Sequence, residues 1–77
     1  MPEPNRKWLF RVEDFEGNQF YLDENGEEGS SDDLPEFEGT SPEARIEGQR
    51  RADLWEEEYE FAARIVLESR GIVGVKP

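Results

Sequence analysis

Between Arg11 and Arg45 the chain contains no lysine or arginine. Residues 12–44 nevertheless carry twelve carboxylates: Glu13, Asp14, Glu16, Asp23, Glu24, Glu27, Glu28, Asp32, Asp33, Glu36, Glu38 and Glu43. This segment has a net charge of −12, against +1 for the remaining residues and −11 for the whole chain. The protein is therefore a near-neutral framework with one strongly acidic segment. Such a block repels nucleic acid and anionic lipid, and it attracts basic surfaces. Polyanion binding is disfavoured, because it rests on lysine and arginine neutralising phosphates. Acidic surface also keeps small proteins soluble, so charge alone has an ordinary reading beside the functional one.

The length of 77 residues sets a ceiling of one small domain, spanning 1–77. With no cysteine and no histidine, disulfide, zinc-thiolate and imidazole sites are ruled out. No stretch approaches the ~18 apolar residues of a membrane span. Residues 1–6 read as a short extended lead-in without the features of a signal peptide. With the absence of cysteine, this gives the expectation of an intracellular, cytoplasmic protein, or one of the host cytoplasm if it is phage-encoded.

Lys7 to Asp14 alternates, with Trp8, Phe10 and Val12 on one side and Lys7, Arg11 and Glu13 on the other. That is a half-buried strand pattern. A second strand follows at Gln19–Asp23, after a turn at Glu16-Gly17-Asn18. A two-residue loop sends Leu22 to the face away from Trp8, Phe10 and Val12. A three-residue loop puts Leu22 opposite Val12 and aligns the apolar faces, so the odd loop is expected. Residues 24–40 read as a long acidic loop, which Leu34 and Phe37 can pin to the body. No internal repeat is visible.

The spacing predicts one long helix over 41–70. Ser41 serves as N-cap, Pro42 as first helical residue, Arg70 complements the C-terminal end and Gly71 is the stop. Gly48 is its weak point, costing ~1 kcal/mol against alanine. Leu54, Trp55, Tyr59, Phe61, Ala62, Ile65 and Val66 share one face, the expected core stripe. Glu58 falls in the middle of that stripe, where a carboxylate must be paired, with Arg51 or Arg11 as candidates, or reach solvent, or contact a partner; Leu67 falls on the polar side. Ile72 to Val75 reads as a short closing strand. The expected fold is α+β: a small ββαβ domain, with a hairpin and a short C-terminal strand packed on one long helix.

No residue set points to catalysis. There is no histidine to serve a nucleophile as base, and carboxylates are so numerous that any pair is uninformative. Asp23 to Glu28 invites comparison with a calcium loop. The sixth position is Glu28 rather than glycine, and the twelfth is Leu34 rather than glutamate. No phosphate loop is present. The expectation is a non-enzyme without metal or cofactor.

Asp53, Glu56, Glu57 and Glu60 follow one another at three- and four-residue steps, which on a helix gives a carboxylate row with neighbours ~5–6 Å apart. That spacing is comparable to phosphates along a nucleic-acid strand. The ordinary reading is a solvated face trimmed by pairs such as Glu60 with Arg64. The functional reading is a small inhibitor that occupies the nucleic-acid site of a basic nucleic-acid-handling protein, without touching nucleic acid or membrane itself. Its contact residues are Asp53, Glu56, Glu57, Glu60, Asp23, Glu24, Glu27, Glu28, Asp32, Asp33, Glu36 and Glu38. Small acidic bacteriophage proteins that mimic DNA share this size and composition. They include anti-restriction and anti-CRISPR inhibitors and inhibitors of host RNA polymerase. The likeness is one of class, not of motif. The alternative is an accessory or structural subunit docking through Trp8, Phe15, Tyr21, Trp55 and Leu67, with charge serving solubility.

Overall fold

The computed structural model describes residues 4–60 and 63–72. The alternating stretch forms strand β1, Arg6–Glu13, which becomes the spine of the molecule. Strand β2, Gln19–Leu22, pairs antiparallel with its second half. Strand β4, Phe37–Gly39, pairs with its first half along the same edge. Strand β3, Glu28–Gly29, extends β2. Strand β5, Arg64–Ile72, takes the whole opposite edge of β1. One helix, α1, Ser41–Tyr59, crosses one face of this antiparallel sheet. The expected α+β class is what forms.

The hairpin keeps the expected parity but opens two residues sooner. Phe10 lies opposite Leu22 and Val12 opposite Phe20, so the loop is Asp14–Asn18. The cause is Asp14. Its carboxylate accepts hydrogen bonds from the Glu16 and Asn18 amides, both at 2.9 Å, while Gly17 takes φ +88°. Asp23 repeats the device nine residues on. It accepts from the Asn25 and Glu27 amides, and Gly26 takes φ +76°. The two turns share an Asp-x-x-Gly pattern that acts as an internal repeat. The expected acidic loop at 24–40 is therefore partly built structure, holding the second turn, β3 and β4.

Trp8, Phe10 and Val12 are buried beneath the helix, as their alternation requires. Leu9, on the other face, is also buried, in a recess lined by Leu34 and Pro35. Phe37 packs on Phe10 with ring centroids 5.7 Å apart, and the Trp8 indole donates to the Gly39 carbonyl at 2.9 Å. The acidic segment is thus pinned where Leu34 and Phe37 were expected to pin it.

The helix differs from expectation at both ends. Its N-cap is Thr40, not Ser41: Thr40 and Glu43 form a reciprocal capping box. At the other end it stops at Tyr59, so it does not run to 70. Glu60 adopts φ +59° and closes the last turn by donating its N–H to the Glu56 carbonyl. Residues 64–70, expected as helix, are strand, and Arg70 and Gly71 have no helix end to serve. The reason is tertiary. Ile65-Val66-Leu67 suits a strand as well as a helix, and the open edge of β1 needs a partner. Of the expected core stripe, Phe61 and Ala62 lie outside the described residues, as do Val73 to Val75 of the expected closing strand.

Losing the last turns rotates the stripe. The buried helix face is Ala44, Gly48, Arg51, Ala52 and Trp55, with Leu54 and Tyr59 on its exposed rim. Leu67, expected on a polar helix face, faces the core from β5 together with Ile65. The buried charge is Arg51 rather than Glu58, which is exposed. Arg51 lies over the Phe10 ring at 4.5 Å and pairs with Glu47 at 2.7 Å. A buried cation needs such a partner.

Candidate acidic interaction surface

The structure divides the twelve expected contact residues into those that hold the fold and those left to face solvent. Asp23 is half-buried, and its carboxylate is occupied by turn amides. Glu56, also half-buried, accepts from the Ala63 amide at 2.9 Å and so fastens the helix to β5. Its withdrawal breaks the expected row of Asp53, Glu56, Glu57 and Glu60. Asp53 accepts from the Gln49 side chain at 2.8 Å, and Glu60 is the exposed left-handed residue after the helix.

A different grouping appears in its place. The β2–β3 turn lies against the last turns of α1. A Cβ placed on Gly26 would stand 2.6 Å from the Leu54 Cβ and 2.9 Å from the Arg51 carbonyl oxygen. Arg50 adds a hydrogen bond to the Glu24 carbonyl at 2.8 Å. This contact brings Asn25, Glu27, Leu54, Glu57 and Glu58 around one shallow recess of about 360 Å³. Glu28 joins by lying near the Tyr59 phenol. That phenol is pushed above its ordinary value, first by burial and then by the charges of Glu28, Glu58 and Glu27.

The remaining acids lie around two further recesses. Asp23, Glu24, Glu36 and Glu38 line one with Arg51, and Asp32 and Glu36 line the other with Leu9 and Arg70. Asp33 is exposed in the turn held by Ser30. Glu36 is partly neutralised by Arg70 at 3.6 Å, and Glu38 lies opposite Lys7.

Arg11, Arg50, Arg51, Arg64 and Arg70 are engaged elsewhere. On the sheet face away from the helix, Glu68 meets Arg11, Arg70 and the Tyr21 hydroxyl. Burial pushes the Glu68 carboxyl up, but these hydrogen bonds and charges outweigh it and leave the group below its ordinary value. Arg64 pairs with Glu13 at 2.8 Å, and Arg50 and Arg51 pair with Glu47. Among the described residues no ion pair reaches Asp53, Glu57, Glu58, Glu60, Glu27 or Glu28. No basic residue lies in the last helical turn, where the helix dipole is negative. The cluster is therefore an uncompensated negative surface built partly at the helix end least suited to it.

The sequence singles out Glu58 but favours pairing in the core over a partner contact, and it puts Tyr59 in the core stripe. Glu58 fell mid-stripe only because residues 61–66 were counted as helical. Centring the stripe on Gly48, Ala52 and Trp55 would have put it on the rim. Of the residues in the docking alternative, Trp8 and Trp55 are buried, whereas Phe15 at the hairpin tip is 85% exposed.

Among the described residues no group of three or more carboxylates is arranged to hold a metal ion, and no helix is long and apolar enough to cross a membrane. Together these features define a small α+β domain with a concentrated acidic face. No protein-family model, curated protein or solved structure matches the chain.

Proposed function

We propose that the protein is a non-enzymatic inhibitor that presents its acidic face to a basic nucleic-acid-handling protein and occupies that protein's nucleic-acid site. The observation that supports this reading is the convergence of Glu27, Glu28, Glu57 and Glu58 at the helix C-terminus, unmatched by any described arginine. Each carboxylate at that end costs roughly 0.3–1 kcal/mol against the dipole, and solubility alone does not require acids there. A rigid helix and a capped turn hold the carboxylates without the ordering cost of a loose tail. Steering by such a surface gives fast, salt-sensitive association. Inhibition of a phage-host type, in restriction, CRISPR or transcription machinery, is the setting this chemistry suits best, and on that reading the protein acts in the cytoplasm.

The experiment uses proteins captured from a bacterial lysate on the immobilised chain and eluted along a salt gradient. A captured DNA- or RNA-binding protein is then assayed for nucleic-acid binding in competition with the chain. The fourfold variant Glu27→Gln, Glu28→Gln, Glu57→Gln, Glu58→Gln should compete at least tenfold more weakly than the native chain. Unchanged competition by this variant, and by one neutralised at Asp32, Asp33, Glu36 and Glu38, would falsify nucleic-acid mimicry.

The second reading, docking of an accessory subunit through an aromatic residue, rests on Phe15. An 85% exposed phenylalanine at a hairpin tip is an unfavourable thing to leave in water. Binding lost on Phe15→Ala but indifferent to salt supports that reading instead.

A further inference from the structure

Strand β5 has one edge on β1 and, among the described residues, no strand on the other. From Arg64 to Ser69 its pairing with β1 is regular; the register shifts only past Ser69, where Arg70 is skipped. The regular part holds Ile65-Val66-Leu67 and no proline. A long, regular, apolar edge is a template for another strand unless something blunts it.

We propose that this edge is the dimerisation surface of the protein, with β5 of a second copy pairing antiparallel to β5 about a two-fold axis at Val66. Charge selects the occupant. A chain of net charge −11 repels its own copy over most of its surface. In β5, however, two arginines accompany one glutamate. Here the Arg64 and Glu68 of one copy can add a second, opposite partner to those each has in its own chain, Glu13 for Arg64 and Arg11, Arg70 and Tyr21 for Glu68.

Charge also selects the register. In an antiparallel self-pairing, opposed residues lie on the same face, so each register centres on one residue. Centred on Val66, Arg64 opposes Glu68 of the second copy, twice by symmetry, on the face away from the helix. On the other face Ile65 opposes Leu67 of the second copy, so the half-buried apolar side chains of both sheets become neighbours. Centred on Leu67, Arg64 meets Arg70. Centred on Glu68, two glutamates face each other and the pairing runs into the irregular end. Arg64 is suited to the contact: its side chain is 73% exposed, and its ion pair with Glu13 uses a single terminal nitrogen. The interface is isologous and closes after two copies, so it ends in a dimer rather than a fibre.

Sedimentation equilibrium on the native chain should show concentration-dependent association toward twice the 9.0 kDa mass. Arg64→Glu, which brings like charges together in that register, should weaken association about tenfold while leaving the circular dichroism of the monomer unchanged. The absence of native cysteine allows a register test. Under mild oxidation Val66→Cys should form a disulfide-linked dimer, because the residue faces itself across the axis, whereas Ser69→Cys should not. A native chain that stays monomeric at millimolar concentration overturns the proposal. So does a dimer that tolerates Arg64→Glu and links through Ser69→Cys in preference to Val66→Cys.

Discussion

At the scale of single residues, the two least obvious choices in the helix are Gly48 and Arg51. A Cβ at Gly48 would stand 2.8 Å from the Leu67 side chain, 3.0 Å from Phe10 and 3.2 Å from Ile65. The glycine that reads as a weak point is a place where the helix backbone lies close against the side chains of the sheet. Gly48→Ala should therefore destabilise the fold by roughly 1–3 kcal/mol in urea unfolding, despite alanine's better helix propensity. Arg51 depends on Glu47. The Arg50 hydrogen bond, aided by Arg51 and opposed by burial, holds the Glu47 carboxyl down to about 2 from its ordinary 4.5. A carboxylate depressed in the folded state contributes stability that is fully present above the unfolded value and is lost as pH falls through the folded one. The window is therefore about pH 4.5 down to about 2. Glu47→Gln should flatten the fall in unfolding free energy across that window, by about 1–2 kcal/mol after allowance for solvent screening, read from denaturant unfolding at each pH. An unchanged slope would remove Glu47 from the acid response.

At the scale of elements, the hairpin was legible and the helix end was not. Trp8, Phe10 and Val12 alternate strongly enough to give both the strand and its buried face, and parity alone settled that the loop was odd. Its true length depended on Asp14 capping two amides, a side-chain event that no hydrophobic pattern encodes. Thr40 and Ser41 can each cap a helix, and only the partnership of Thr40 with Glu43 decides between them. The larger difference, strand in place of helix after Tyr59, arose because neither glycine nor proline marks the end. Glu60 enters left-handed backbone instead, which suits glycine better by about 1 kcal/mol. Glu60→Gly should therefore raise stability by roughly 0.5–1 kcal/mol, and thermal unfolding would show it. Of the candidate site, the acidity was legible but its arrangement was not. The expected row lost Glu56 to the helix–strand joint, and the actual cluster formed across a turn–helix contact at Gly26, visible only once the chain is folded.

At the scale of the whole molecule, the excess charge is concentrated where no described arginine answers it. Self-repulsion at such a surface opposes the compact state, and salt screens it over a Debye length of about 10 Å at 0.1 M. The thermal midpoint should rise between 20 mM and 500 mM sodium chloride. The variant neutralised at Glu27, Glu28, Glu57 and Glu58 should begin higher and rise less. A native midpoint that falls with salt would mean the ion pairs at Glu47 and Glu68 outweigh the cluster. The sheet carries a consequence of another kind. Its spine, β1, is completed only by β5, the last of the described strands in chain order. The hairpin of β1 and β2 can close locally within microseconds, but the other edge of β1 waits for residues distant in sequence. Until they arrive, the backbone of Trp8, Leu9 and Phe10 is open to pairing with whatever strand comes first. During refolding this interval is when the chain is most prone to misassembly, and its length is set by how quickly the helix and the turn after it return β5 to β1.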